Sequence, residues 1–150
     1  MSTKTLIYIA GPTGVGKTKL SLEIAKLFDT DIISCDSRQF YKEMNIGTAV
    51  PTSEELNEVQ HHLIQHKSIH DKYTVGDFEK EAIQTLDFLF KKKGFVIMVG
   101  GSGMYADCLM FWLDSFPKIC PEIRDQSELC YKSHDLKWLQ GLLWKKDAKY

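Results

Sequence analysis

The sequence lacks any apolar run long enough to cross a membrane. It also lacks the charged start and apolar segment that mark a secreted protein, since its first apolar run, Thr5–Ala10, is short and leads directly into a glycine-rich stretch. We therefore expect neither a membrane anchor nor a secretory signal. The cytoplasm is the expected compartment.

Closely spaced cysteines and an excess of charge of one sign are missing too. The four cysteines, Cys35, Cys108, Cys120 and Cys130, form no CxxC pair, which argues against a disulfide framework or a zinc site and favours a reducing compartment. The formal net charge is −1, so the composition indicates neither a nucleic-acid surface nor a membrane surface. With 150 residues, 43% of them hydrophobic, the chain has the composition of an ordinary soluble domain.

One stretch carries a specific motif. Gly11-Pro12-Thr13-Gly14-Val15-Gly16-Lys17-Thr18 fills every fixed position of the phosphate-binding pattern G-x-x-x-x-G-K-[ST]. An apolar, β-branched run before the motif predicts a buried strand, and apolar residues at helical spacing after it predict a helix. In that context the backbone N–H groups of the loop and the helix N-terminus would bind an anion. Lys17 would add a positive charge and Thr18 a hydroxyl ligand for Mg²⁺, so the motif predicts a polyphosphate or pyrophosphate site.

Further strands and helices alternate along the chain. Buried strands are predicted at Asp31–Cys35 and Phe95–Val99, and helices at Asp77–Lys93 and Met104–Trp112. A capping box from Thr52 to Glu55 predicts a short helix, whereas residues 60–71 show no pattern that assigns them. The alternation predicts an α/β fold in which helices flank a parallel sheet.

The predicted topology also indicates where a ligand would bind. In open α/β sheets ligands bind at the carboxyl ends of the strands. Three polar or glycine-rich segments follow the three predicted strands, namely Gly11–Thr18, Asp36–Gln39 and Gly100–Ser102. We expect them to converge on one cleft.

The character of the sequence changes beyond Pro117. Helical spacing of apolar residues predicts a helix at Pro121–Tyr131 and another at Ser133–Lys146. We therefore divide the chain into an α/β core of residues 1–116 and a helical segment of residues 117–150.

Asp36, directly after the second strand, could take one of several roles in such a cleft. It would hold Mg²⁺ or accept a phosphoryl group, as in small-molecule kinases that use ATP. Otherwise it would accept a hydrogen bond from a nucleophile held opposite the pyrophosphate and act as its base, or merely cap a turn. Spacing does not separate these roles.

Four histidines lie close together at His61, His62, His66 and His70, and three of them are four residues apart. No cysteine or carboxylate arrangement completes a tetrahedral set with them, so we do not expect a zinc site.

Six blocks of the sequence, in order, resemble the tRNA dimethylallyltransferase (tRNA isopentenyltransferase) family. They are Gly11–Thr18, Asp36-Ser37-Arg38-Gln39-Phe40-Tyr41, Ile46–Ala49, His61–Ile64, Tyr73–Phe78 and Gly100-Gly101-Ser102-Gly103-Met104-Tyr105. The resemblance covers nearly the whole chain and implies a P-loop NTPase-like fold with the start of a helical, tRNA-binding insertion at its C-terminal end. It implies transfer of a dimethylallyl group from dimethylallyl diphosphate to N6 of the adenine adjacent to the tRNA anticodon.

The resemblance also implies roles for individual residues. Residues 11–18 would bind the diphosphate, with Mg²⁺ on Thr18 and the phosphates, and Thr13 and Lys17 would assist the departing pyrophosphate. Asp36 would accept a hydrogen bond from the adenine N6 amine and take its proton as the C–N bond forms. The residues implied to contact the tRNA anticodon stem-loop are Asp36, Ser37, Arg38, Gln39, Ser102, which stands where the family usually has threonine, and Arg124.

Family members are about twice as long as this chain, so the resemblance implies an N-terminal portion with little or no activity alone, and a monomer is expected. An adenylate dimethylallyltransferase shares the P-loop and the strand-end aspartate, but the blocks Asp36–Gln39, Ile46–Ala49 and Tyr73–Phe78 favour the tRNA enzyme. An ATP-binding P-loop kinase and a non-catalytic nucleotide-binding module are the two remaining hypotheses.

Overall fold

The computed structural model describes residues 3–113, 117 and 119–149, and the chain divides into two compact units, Met1–Leu113 and Asp114–Tyr150. The described part of the first unit contains the strands β1 (Thr5–Ile9), β2 (Ile32–Ser34), β3 (His61–His62) and β4 (Phe95–Val99). Its helices are α1 (Lys17–Leu27), α2 (Ser53–Glu58), α3 (Val75–Phe90) and α4 (Gly103–Phe111). The second unit has the helices α5 (Pro121–Ser133) and α6 (Leu136–Lys146).

The four strands form one parallel sheet in the order β1-β4-β2-β3. This confirms the predicted α/β architecture, with helices flanking a parallel sheet. At the carboxyl end of the sheet, Val99 of β4 lies opposite Ile9 of β1 on one side and opposite Ser34 of β2 on the other. The segments that follow β1, β2 and β4 therefore start side by side.

The core lies on both faces of this sheet. Ile32, Ile33, Val96, Ile97 and Met98 are fully buried, so β2 and β4 contact apolar side chains above and below. Leu22 and Ala25 of α1 pack with Ile32 and Ile97 on one face. On the other face a larger cluster forms around Met98 and contains Phe40, Phe78, Ala82 and Ala106. These contacts bind α1 to one face and α3 and α4 to the other.

Several element boundaries differ from the sequence prediction. The helix predicted at Asp77–Lys93 begins at Val75 instead, because the side chain of Thr74 caps its first turn, and it ends at Phe90. The short strand β3 lies in the segment that the sequence left unassigned, and its His61 pairs with Ile32 of β2. Because β3 consists of two histidines, it offers no apolar pattern by which a strand could be recognised.

The helices of the second unit are present, with shifted boundaries. The helix predicted from Ser133 begins at Leu136, because the Asp135 carboxylate accepts a hydrogen bond from the Trp138 amide at 2.9 Å and Ser133 still belongs to α5. Neither α5 nor α6 contains a buried residue. That this unit is the start of a tRNA-binding insertion stays a prediction. Among the described helices, none combines the length and the apolar character that a membrane span requires.

Two threonine caps offer a matched test of what stabilises the first unit. We expect Thr74→Ala to lower the free energy of unfolding by about 1 kcal/mol, because α3 packs into the core and loses its N-terminal cap. Thr52→Ala removes an equivalent capping box from α2, which buries no residue, and is expected to have a much smaller effect on global unfolding. Urea unfolding of the two variants measures the difference, and equal losses would contradict this explanation.

The same cap contributes a pH dependence. Hydrogen bonds from Thr74 lower the pKa of Asp77. A carboxyl pKa that is lower in the folded state stabilises the protein above the ordinary carboxyl range, and this contribution is lost as the pH falls through the lowered pKa. The stability of Thr74→Ala should therefore depend less on pH in the acid range than that of the parent chain.

Candidate active site

A cavity of about 360 Å³ opens at the carboxyl ends of β1, β2 and β4. Its walls combine the loop after β1, the turn after β2, the first residue after β4 and the segment from residue 47 to 51. The loop after β1 and the start of α1 contribute Thr13, Gly14, Gly16, Lys17 and Thr18 to the wall. The turn after β2 contributes Asp36, Arg38 and Gln39. The structure thus brings the glycine motif and the strand-end aspartate into one cavity.

The loop after β1 has the backbone of a phosphate-binding turn. Gly14 and Gly16 have φ values of 84° and 98°, in the left-handed region that favours glycine. Gly16 is the N-cap of α1, and it supplies no side chain to accept hydrogen bonds from the first-turn N–H groups. Those N–H groups and the positive end of the helix dipole therefore point toward the loop, as an anion site requires. Gly11, Pro12 and Val15 belong to the loop but do not line the cavity.

The ammonium group of Lys17 lies against this loop. Its Nζ donates hydrogen bonds to the carbonyl oxygens of Gly11 and Pro12, each at 2.8 Å. Within the described residues it forms no ion pair with a carboxylate. Its charge is therefore available to an anion in the cavity.

The carboxylate of Asp36 is half-buried and held by the turn after β2. Its Oδ1 accepts a hydrogen bond from the backbone N–H of Arg38 at 3.0 Å, and its own N–H donates to the Ser34 hydroxyl at 3.4 Å. The pKa of the neighbouring Cys35 thiol is affected by the charges of Asp36 and Lys17. Burial and the charge of Asp36 raise the pKa of its thiol to about 12, and the charge of Lys17 opposes this rise. Cys35 is therefore a neutral packing residue at physiological pH.

Other residues predicted to contact tRNA have partners within the protein. The hydroxyl of Ser102 accepts a hydrogen bond from the Ser37 backbone N–H and donates to the Ser37 hydroxyl, both at 3.0 Å. The side-chain amide of Gln39 donates to the carbonyls of Thr48 and Ala49 at 3.1 and 2.9 Å. Both side chains thus join segments of the cavity wall to one another.

The two predicted arginines lie in different units. Arg38 is exposed and lines the cavity. Arg124 lies on α5 of the second unit, where its Nε is 3.8 Å from Glu128.

Several residues that line the cavity have no binding or catalytic role predicted from the sequence, including Lys19, Thr48, Glu55 and His61. His61 is buried, its Nδ1 donates to the Val59 carbonyl at 2.8 Å, and its Nε2 has no hydrogen-bond partner within the described residues. Burial lowers the pKa of its imidazole, so the ring is neutral and Nε2 is an acceptor. Blocks Ile46–Ala49 and His61–Ile64 were the available signal for Thr48 and His61, whereas Lys19 and Glu55 lie outside the six family blocks.

His62 and His66 each lie against a different carboxylate. His62 Nε2 lies 2.8 Å from Asp31 and His66 Nε2 lies 3.1 Å from Glu81. Within the described residues, no group of three or more histidine, cysteine or acidic side chains could hold a metal ion.

A family model described as IPP transferase matches residues 39–150. The chain belongs to the IPP transferase family. Its relatives in this family include a tRNA dimethylallyltransferase of Flavobacterium psychrophilum, which is 57% identical over 145 residues, or 97% of this chain and 47% of the relative. A tRNA dimethylallyltransferase of Flavobacterium johnsoniae is 50% identical over 98% of this chain and 48% of its own length.

Solved structures of the same family have this fold. A full-length tRNA isopentenylpyrophosphate transferase of Bacillus halodurans matches with a TM-score of 0.72 and 34% identity, over 98% of this chain and 49% of that one. A eukaryotic dimethylallyltransferase acting on tRNA matches with a TM-score of 0.81 and 28% identity, over 98% and 36% of the two chains. These matches confirm the predicted P-loop NTPase-like fold. The chain spans about half the length of the curated IPP transferase relatives it matches.

The Ser102–Ser37 contact can be tested with conservative variants. We expect Ser102→Ala to lower the free energy of unfolding by about 1 kcal/mol, because the Ser37 N–H loses its acceptor. Ser102→Thr keeps a hydroxyl at the same position and should retain most of the stability. Urea unfolding of both variants measures the effect, and equal destabilisation by Ala and Thr would show that the hydroxyl is not what matters.

Proposed function

We propose that the chain provides the donor site and the catalytic carboxylate of a tRNA dimethylallyltransferase. The reaction would transfer a dimethylallyl group from dimethylallyl diphosphate to N6 of the adenine beside a tRNA anticodon. The observation that carries the proposal is the single cavity shared by the phosphate-binding loop and Asp36. The names of the relatives, tRNA dimethylallyltransferase, and a structural neighbour described as acting on tRNA support this choice of reaction.

The loop would hold the diphosphate of the donor. Its backbone N–H groups from Gly14 to Thr18 and the N-terminus of α1 supply partial positive charge. The ammonium of Lys17 would exchange the two loop carbonyls for phosphate oxygens, which bind a cation more strongly because they carry full negative charge. The hydroxyl of Thr13 would donate to the oxygen from which the dimethylallyl carbon departs.

The residues of the cavity fit Mg²⁺. This ion takes oxygen ligands, and proteins usually hold it with one or two side chains together with phosphates and waters. The cavity offers the hydroxyl of Thr18 and the carboxylates of Asp36 and Glu55. We propose that the Thr18 hydroxyl is the protein ligand of Mg²⁺ and that the oxygens of the diphosphate supply most of its other ligands. When bound, Mg²⁺ offsets the negative charge that builds on the departing pyrophosphate.

Asp36 would act as the base. As the adenine N6 nitrogen attacks, the new C–N bond forms, the C–O bond breaks, and pyrophosphate leaves with the electron pair. A carboxylate is too weak a base to deprotonate a neutral aromatic amine beforehand, but it accepts the proton once the nitrogen becomes cationic in the transition state. The backbone N–H of Arg38 donates a hydrogen bond to Asp36 Oδ1 and so orients the carboxylate. The other oxygen, Oδ2, would then accept the hydrogen bond from the adenine N6 amine.

The acceptor adenine has to leave the anticodon-loop stack to reach this cavity, at a cost of a few kcal/mol. Arg38 is exposed at the cavity wall and would meet the tRNA backbone. Ser37, Gln39 and Ser102 would act mainly by shaping the wall, because their side chains already bond within the protein. Arg124 would contribute from the second unit.

The proposed roles of Asp36 and Lys17 can be distinguished by their effects on kcat and on the affinity for dimethylallyl diphosphate. We expect Asp36→Asn to lower kcat by about 10²- to 10⁴-fold with little change in the affinity for dimethylallyl diphosphate, because its contact strengthens in the transition state. Lys17→Ala should instead weaken diphosphate binding. Both are measured in a chimaera that joins this chain to the part of the Flavobacterium psychrophilum relative outside the matched region. Asp87→Asn, an exposed carboxylate on α3, is the control. Equal loss of diphosphate affinity in Asp36→Asn would indicate a metal or phosphate role instead.

The 150-residue chain by itself is expected to transfer little or no dimethylallyl group, because it spans about half the length of its relatives. The measurement is the incorporation of labelled dimethylallyl groups into tRNA, AMP or other acceptors by the chain and by the chimaera. Turnover by the chain that matches the chimaera would refute this expectation. Modification of AMP in preference to tRNA by the chimaera would favour an adenylate dimethylallyltransferase, and phosphoryl transfer from ATP would favour a kinase.

A further inference from the structure

Gly100, the first residue after β4, lies unusually close to the main chain that carries Asp36. A Cβ atom added at Gly100 would lie 2.6 Å from the Cys35 carbonyl carbon, 2.7 Å from the Asp36 nitrogen and 2.7 Å from the Cys35 sulfur. Two of these three atoms belong to the backbone and cannot rotate away. A side chain at residue 100 would therefore have to displace the chain at Cys35 and Asp36.

The requirement for glycine here is one of space. Among the described residues, the glycines with positive φ are Gly11, Gly14, Gly16 and Gly47, and Gly100 is not one of them. Gly100 is therefore not required for a left-handed backbone. A side chain at residue 100 is excluded by the short distances to the atoms of Cys35 and Asp36.

Hydrogen bonds hold the two segments together on both sides of this contact. Before it, the Cys35 N–H donates to the Val99 carbonyl at 2.9 Å. After it, the Ser37 N–H donates to the Ser102 hydroxyl at 3.0 Å. Asp36 lies between these bonds, so its backbone nitrogen occupies the space that a Cβ atom at residue 100 would need. The next residue, Gly101, leaves room for the side chain, because a Cβ added there would lie 3.3 Å from Asp36 Oδ2.

We infer that Gly100 is a positioning residue for Asp36: its missing side chain allows the turn after β2 to lie against the end of β4, with the carboxylate in the cavity of the phosphate-binding loop. Gly101 supports it by leaving the space that Oδ2 occupies. The catalytic meaning of this position rests on the proposed function, whereas the position itself does not.

The test uses the 150-residue chain, with the Ser37 and Arg38 amides followed by nuclear magnetic resonance and the binding of inorganic pyrophosphate with Mg²⁺ followed by calorimetry. In Gly100→Ala we expect both amide resonances to move and to exchange with solvent about fivefold faster or more, as their hydrogen bonds are lost. In Gly101→Ala we expect a smaller change, confined to Arg38. Pyrophosphate affinity should stay within about twofold of the parent value in both.

Gly103→Ala is the matched control, because nothing lies within 4 Å of a Cβ added there, and it should leave both amides unchanged. The double variant Cys35→Ala/Gly100→Ala should be as perturbed as Gly100→Ala, since the two backbone contacts remain; rescue by the loss of the thiol would overturn the inference. Unchanged Ser37 and Arg38 amides in a folded Gly100→Ala would overturn it as well.

If Gly100→Ala does not fold, Gly101→Ala decides the question, and an unchanged Arg38 amide in that variant overturns the inference. Failure of the parent chain to bind pyrophosphate would count against the proposed function and leave the amide measurements valid. Loss of pyrophosphate binding in a folded Gly100→Ala would show that the residue acts on the phosphate-binding loop, which also overturns the inference.

Discussion

The arrangement of the candidate active site depends on the pairing of Val99 at the end of β4. Val99 lies opposite Ile9 on one side and opposite Ser34 on the other, so one residue sets where the phosphate-binding loop begins and where the turn to Asp36 begins. Because β1 and β2 lie on either side of β4, two strand spacings separate them by roughly 10 Å. The cavity that the loop and Asp36 line opens at these strand ends.

Polar contacts at the strand ends help to specify this register. β2 and β4 are buried on both faces, and Ile32, Ile33, Val96 and Ile97 are all apolar. A slip of one residue would therefore exchange apolar side chains for apolar side chains, and the alternation that specifies a half-exposed strand gives little information here. At one end the Thr30 hydroxyl donates to the Phe95 carbonyl, and at the other the Cys35 N–H donates to the Val99 carbonyl.

The parts of the site that depend on local patterns could be predicted from the sequence. The glycine motif, the three main strands and the cap at Thr52 each lie within a few consecutive residues, so their spacing could be recognised. The order β1-β4-β2-β3 could not, because it depends on contacts between segments far apart in the chain. For the same reason the bonds from Gln39 to residues 48 and 49, and from Ser102 to Ser37, had no signature beyond the family blocks. The family resemblance implies a tRNA contact for these side chains, and their partners within the protein follow only from the structure.

The helices that follow β1 and β4 differ from the others of the first unit in how they begin. α2 and α3 both start with complete capping boxes, whereas α1 and α4 start without any side-chain cap. At α4 the N-cap residue is Ser102, a good capping residue, yet its hydroxyl bonds to Ser37 instead of its own helix. An N-cap contributes about 1 kcal/mol, so leaving two helix starts uncapped costs stability. At α1 the uncapped N–H groups face the phosphate-binding loop, and at α4 the Ser102 hydroxyl bonds to the turn that carries Asp36, so both missing caps are explained by the cavity.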